Sequence, residues 1–323
     1  AQTRIFSFDY LVLAIGSLTD RDRIPGVAEY AYTLAPRGPL SAAALREKLP
    51  ALAQRGGRVV VVGGGPTGVE SAAELASSYP RLKVHLVTEG KPGGAFGKDI
   101  SEYMGRTLTR LGVQMHDEAT VTAVGADGVT TAAGEAIPCD VCLWTGGFVA
   151  PTLARDAGLA VNGHNQALVD PFMRALGHPE VYAVGDAAHP QEDPGVPVRM
   201  SAVTATILGA HGADCLSAIL HGKMPHPLSF AYLGQAIALG RGNAIGFNNY
   251  PDDKPRHPYF TGWLGFQGRE FFVRLLTDMP GYERRWPGFF YWPGKRRYLA
   301  ARKHLAPTGG DQVSRNRTLD PVR

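Results

Sequence analysis

At 323 residues, 44% hydrophobic and 19% charged, the chain is long and apolar enough for two or three domain cores, which excludes a disordered or fibrous protein. Lysine and arginine outnumber acids 33 to 29, and a net charge of +4 is too small to imply a nucleic-acid partner. Cys139, Cys142 and Cys215 make no disulfide framework, and no stretch reads as a secretory leader or an 18-residue apolar span. A cytoplasmic location is therefore expected, with attachment to the inner face of the membrane left open.

In chain order, the first apolar run is FDYLVLAIGS, closed by Gly16. Arg58 to Val62 is a continuous β-branched run, as in a strand buried on both faces of a parallel sheet. Gly63, Gly65 and Gly68 then satisfy G-x-G-x-x-G, with Pro66 and Thr67 opening a helix over Val69 to Ala76. The first glycine permits the turn, the second lets a pyrophosphate approach the backbone, and the third allows close helix packing. The helix N-terminus offers unpaired N–H groups to phosphate. A second strand at 83–87 ends in Thr88-Glu89, and Glu89 at this ribose-reading position favours NADH, while nearby Lys91 leaves NADPH open. Glu70, just beyond the third glycine, is a candidate catalytic side chain at the nicotinamide end; its plain alternative is a first-turn helix charge.

Downstream, CDVCLWTGGFVAP at 139–151 reads as a buried strand ending in glycines, and PEVYAVGDAAH at 179–189 as a strand ending in Gly185-Asp186. An aspartate emerging at the carboxyl end of a strand is placed to bond a polyhydroxyl chain. Cys139 and Cys142 form C-x-x-C, but strand alternation predicts side chains on opposite faces and no disulfide. The ten histidines show no metal-ligand spacing, and His189 reads as a solvated loop residue near the Gly185 turn. The spacing predicts a helix over 199–216, a hairpin over 230–249 and an amphipathic helix over 260–276. The aromatic and cationic stretch at 284–303 reads either as a cap over the C-terminal sheet or as a surface for an anionic membrane, with Pro287 and Pro293 opposing a long interfacial helix. Residues 306–323 read as disordered.

LVLAIGS, GGGPTGVESAAEL and VYAVGDAA, in this order, resemble the pyridine nucleotide-disulfide oxidoreductase superfamily. The branch most similar to it is the one without a redox disulfide, containing type II NADH dehydrogenases and apoptosis-inducing-factor-like proteins. The resemblance implies an α/β fold of two Rossmann-like three-layer domains, the NAD(P)H domain inserted into an incomplete FAD domain, plus a C-terminal α+β segment. Its implied division is 1–35 and 145–225 for FAD, 36–144 for NAD(P)H, and 226–305 for the C-terminal domain. It further implies that Asp186 holds the flavin ribityl chain, that Gly185 meets the FAD pyrophosphate, and that Ile15, Gly16, Thr145 and Gly146 form the interdomain crossovers. The helix N-terminus at Met200 and Ser201 would face the flavin pyrimidine, where the helix dipole favours negative charge. Val203 and Ile207 stand where quinone-reducing members carry glutamines, which argues against quinone.

The family opens with its own FAD fingerprint, and this sequence carries one such turn, so a βαβ unit of roughly 30 residues is expected ahead of Ala1. Without it, weak FAD retention is expected. The implied activity is a FAD-dependent NAD(P)H oxidoreductase passing hydride from nicotinamide to flavin and on to a quinone or other small acceptor. The alternatives are a ferredoxin- or rubredoxin-type reductase and an NAD(H)-binding module without turnover. Expected partners are the small electron acceptor, a membrane surface at the basic aromatic C-terminus, and a second copy of the chain.

Overall fold

Strand runs that end in glycine build two nucleotide-type sheets and a smaller third unit. The structure is a computed structural model and describes residues 4–191, 198–250 and 253–295. The chain begins with β1 (Leu11–Leu13), β2 (Leu18–Thr19), α1 (Val27–Tyr30), β3 (Ala31–Tyr32), α2 (Ala42–Gln54), β4 (Arg58–Val62) and α3 (Pro66–Ser78). Then come β5 (Lys83–Val87), α4 (Lys98–Arg110), β6 (Gln114–His116), β7 (Val121–Val124), β8 (Gly128–Thr131), β9 (Ala136–Pro138), β10 (Val141–Trp144) and β11 (Phe148–Val149). Next are α5 (Leu153–Asp156), β12 (Ala167–Val169), β13 (Arg174–Ala175), β14 (His178–Ala183), β15 (Ala188–Pro190) and α6 (Ala202–Leu220). The last described elements are β16 (Gly234–Ala238), β17 (Ala244–Asn249), β18 (Pro255–Thr261) and α7 (Gly262–Arg285).

The first sheet is parallel, in the order β3-β10-β4-β5-β6. Alternation along β4 sends Val59 and Val61 toward α2, α3 and α4, and Val60 and Val62 toward α1 and the β7-β8-β9 meander. This half is therefore layered helix, parallel sheet and meander. Val59, Val60 and Val61 are fully buried, each burial stabilising by about 1.5–3 kcal/mol, and this anchors the strand that delivers the glycine turn.

The second sheet has the order β1-β14-β13-β12-β15, with β1 and β14 parallel and Leu11 opposite Val181. The runs LVLAIGS and VYAVGDAA, 170 residues apart, are thus neighbours. Helix α6 packs on this sheet through Ile207, Leu208 and Cys215, and Val203 lies against the same core. By length and composition α6 could cross a membrane, contrary to the expectation that no such span exists. Its apolar side chains instead meet Tyr182, Val184 and Met173. On the other side of β1, no strand pairs among the described residues, and Leu11 and Val12 are exposed.

The third unit straddles both halves. Ile237, Leu239, Ile245 and Phe247 join the core of the first sheet, while Leu228, Phe230, Tyr232 and Trp292 join that of the second.

Several sequence expectations change. Phe260 and Thr261 belong to β18, and the helix predicted over 260–276 begins at the left-handed Gly262 (φ 65°) and runs to Arg285 through Pro280. The helix does stop short of Pro287. Trp292 packs against the middle of α6, its ring edge-on to His211, and joins the core of the second sheet. His189 lies in β15, paired with Leu168, rather than in a loop. Cys139 precedes β10, so strand alternation does not govern it; both thiols sit in one apolar cluster and are free. Burial pushes Cys139 up to about 11 and Cys142 upward as well, which keeps both protonated. The proposed tail 306–323 lies outside the described residues.

Candidate functional site

The end of β4 opens into a cleft of about 690 Å3, lined by residues 63–67, 87–91, 93–96, 119–121 and 144–148 together with Arg23 and Ile24. Each glycine of the turn has a distinct steric situation. Gly63 is left-handed (φ 123°), and a Cβ there would strike the Thr145 hydroxyl. A Cβ on Gly68 would overlap the Gly63 carbonyl oxygen, so helix and turn can meet only through glycine. Gly65 is different: nothing lies within 4 Å of a Cβ placed there, and its backbone faces open space. Gly65 is also the N-cap of α3, with Pro66 at the first helical position and no side chain capping the free N–H groups. A backbone cradle with free donors and room beside it fits a pyrophosphate.

Thr88, buried at the end of β5, fills the space beside Gly64, and its backbone bonds His116 and Ala119. Glu89 and Lys91 both line the cleft and are exposed. Beneath this loop, His85 Nδ1 meets His116 Nε2 at 3.0 Å, the two rings stacked. Burial, then His116, Arg58 and Lys83, hold His85 down at about 4, so it is neutral at pH 7.

The two crossovers between the halves lie side by side. Strands β2 and β11 pair antiparallel, and the Trp144 indole N–H donates to Gly146 O (2.7 Å) and Asp20 O (3.1 Å), joining both connections. Thr145 Oγ1 donates to Val62 O at 2.7 Å. Gly16 is left-handed (φ 67°) with open space where a Cβ would be, and Ile15 beside it is half-buried.

On the second sheet, Gly185 is left-handed (φ 68°) and lies against Ala205 of α6. The Asp186 carboxylate accepts from Ser17 Oγ (2.7 Å) and from Ser201 N–H (3.1 Å). Ser201 caps α6, accepting from Thr204 N–H at 3.2 Å. Gly16, Gly185, Asp186 and Ser201 thus converge at one place, an aspartate beside a helix N-terminus with open space where a Cβ on Gly16 would be, and Met200 immediately precedes the cap. These residues fit the ribityl and pyrophosphate part of a flavin nucleotide.

Glu70 lies elsewhere. It is not on the cleft wall; its carboxylate accepts from Ala238 N–H (2.8 Å) and pairs with Arg269 (3.4 Å). Two residues beyond Gly68, about 200° around the helix, this side chain is turned toward β16 and α7, away from the phosphate cradle. Trp144, which lines the cleft, was not legible as a site residue, because one of its partners, Asp20, lies 124 residues away.

The sequence profile of the pyridine nucleotide-disulphide oxidoreductase family matches residues 1–208. Demethylphylloquinone reductase NdbB of Synechocystis sp. is 30% identical over 251 residues, covering 75% of this chain and 62% of the relative. External alternative NAD(P)H-ubiquinone oxidoreductase B2 of Arabidopsis thaliana is 30% identical over 217 residues, covering 56% and 36%. The matched stretch thus spans less than two thirds of the length of these curated relatives, 62% of one and 36% of the other. Among solved structures, NDH2 from Plasmodium falciparum in complex with NADH aligns with a TM-score of 0.62 at 17% identity, covering 88% of this chain and 79% of that one. A putidaredoxin reductase–putidaredoxin complex aligns at 0.63 with 21% identity, covering 85% and 70%. At these identities the structural likeness concerns the fold. The profile covers more than half of the sequence, and the chain belongs to the pyridine nucleotide-disulphide oxidoreductase family.

Proposed function

We propose that this chain is the nicotinamide-binding and flavin-facing part of a FAD-dependent NAD(P)H oxidoreductase whose acceptor is a small quinone-type molecule. The observation that carries the reading is the pairing of two sites across one ribbon: the open Gly65 cradle on one side and the Asp186–Ser201 corner on the other. FAD and NADH are the cofactors, with NADPH admitted by Lys91 beside Glu89. The relatives named for demethylphylloquinone and ubiquinone support the acceptor class. The buried Ile207 and partly buried Val203 face the core, so the absence of glutamine at those two positions bears less on the acceptor than the sequence suggested.

When bound, the flavin would supply the redox chemistry of hydride transfer from nicotinamide. The protein's work is placement. Gly63, Gly65, Pro66, Thr67 and Gly68 hold the dinucleotide phosphates, and Glu89 selects the ribose. Trp144, Thr145 and Gly146 hold the crossover over which the two rings would meet. Asp186, Gly185, Gly16 and Ile15 bind the flavin chain, and Met200 and Ser201 present the positive end of α6. Glu70 is assigned to positioning the C-terminal hairpin rather than to proton transfer.

The domain division proposed from sequence is retained, with its first boundary moved upstream, since Ala31 and Tyr32 pair with β10. The open edge of β1 is where further strands of a flavin domain would add. Trp263, Leu264, Phe271, Trp286 and Tyr291 are exposed on or just beyond α7, near Arg274, Arg284 and Arg285, which supports a peripheral contact with an anionic membrane. A cytoplasmic location on its inner face and a homodimer belong to the same proposal.

The test is spectroscopic. Protein supplied with FAD should take up the flavin and bleach its visible band on adding NADH, and a quinone should restore it. Protein that binds NADH but never reduces bound flavin would favour the binding-module reading, and reoxidation by ferredoxin alone would favour a ferredoxin reductase.

A further inference from the structure

The N-terminus of α6 is held by more than its own cap. Ser201 Oγ lies 2.9 Å from Thr204 Oγ1, and Thr204 Oγ1 lies 3.3 Å from the hydroxyl of Tyr232. Thr204 and Tyr232 are 1% and 3% exposed, so the contact between their hydroxyls lies in a dry setting, where losing a hydrogen-bond partner is costly. Tyr232 belongs to the segment that leads into β16, outside the second sheet. Its ring carries the Arg199 guanidinium at 4.4 Å, and its hydroxyl accepts from Arg199 N–H at 3.5 Å. Arg199 is in turn paired with Asp253 at 2.8 Å, and the Gln235 amide meets it at 2.9 Å. Phe230 holds the Tyr232 ring edge-on at 5.5 Å.

Followed from the other end, the chain of contacts runs Ser17, Asp186, Ser201, Thr204, Tyr232. It joins the first crossover, the aspartate after β14, the first turn of α6 and the C-terminal unit. The field of a helix terminus falls off within one turn, so a small shift of residues 201–204 changes what Asp186 and the helix end offer a ligand.

We propose that Tyr232 is a positioning residue of the flavin site: clamped beneath Arg199, it locks the first turn of α6 against Asp186, so that the C-terminal unit sets flavin affinity. The inference rests on the flavin reading above. Tyr232→Phe keeps the ring under Arg199 and removes only the hydroxyl. Titration of the protein with FAD should then give a Kd raised about 3- to 10-fold, the size of one net hydrogen bond. NADH affinity at the Gly65 cradle should stay the same, and amide exchange over residues 202–205 should quicken. Thr204→Val, which breaks the same chain at its middle link, should reproduce the effect if Tyr232→Phe folds poorly. FAD affinity unchanged in both variants, or FAD and NADH affinities lost together, overturns the role given to Tyr232. Wild-type protein that binds no FAD removes the flavin reading itself, a result distinguishable from either.

Discussion

The two nucleotide-type halves are built from similar strands and differ in how their sites are secured. In the first, β4 is covered on both faces, and the glycine turn is constrained by Thr145, Thr88 and its own backbone. In the second, β1 has an open edge with Leu11 and Val12 exposed, and the Asp186 corner depends on Ser17, Ser201 and, through Thr204, Tyr232. A site made by steric necessity within one sheet is contained in that half. A site made by hydrogen bonds between units inherits its geometry from their docking.

The sharpest way to break this comparison is Gly65→Val. The open space at Gly65 lets the fold accept the side chain, while the phosphate cradle fills. NADH affinity should fall at least about 100-fold, with FAD binding retained. Loss of flavin instead, read from the visible spectrum, would mean the wrong nucleotide was assigned to the turn.

A second prediction concerns acid. His85 is held at about 4 when folded and titrates near 6.5 when unfolded, so the unfolded chain binds the extra proton between these values. Stability is full above pH 6.5 and falls as pH drops toward 4, by roughly 3 kcal/mol at most. His211, also lowered by burial, acts in the same direction from the second half. Denaturant melts of His85→Phe against wild type at pH 7 and pH 5 should show a smaller pH loss in the variant; an equal loss would place the acid sensitivity elsewhere.

The smallest effect should come from Glu70→Gln. The amide can still accept from Ala238 N–H but no longer carries charge opposite Arg269, a partly exposed pair worth less than about 1 kcal/mol. Amide exchange should rise at β16 and the start of α7 and not at the glycine turn. If NADH affinity fell sharply instead, Glu70 would belong to the nucleotide site after all.

Much of the first half was legible in the sequence because its signals are local: five β-branched residues make a doubly buried strand, and glycine spacing makes a phosphate turn. The adjacency of LVLAIGS and VYAVGDAA came from family likeness, since nothing in either run names its partner. The strand β18 was missed because Pro255 and Pro258 hide an edge strand, and α7 was read short because Pro280 lies inside it. Glu70 was assigned to the nicotinamide from its nearness in sequence to Gly68, whereas helix rotation points it to Arg269.

By itself the sequence determined the parallel strand, the G-x-G-x-x-G turn and the helix that follows, because backbone sterics and short-range periodicity act within a few residues. Only the tertiary structure decided that a β-meander covers the second face of that sheet, that the C-terminal unit straddles both halves, and that Tyr232 reaches the first turn of α6. Those outcomes depend on which apolar faces and buried hydroxyls satisfy one another across long separations. No local pattern encodes that choice.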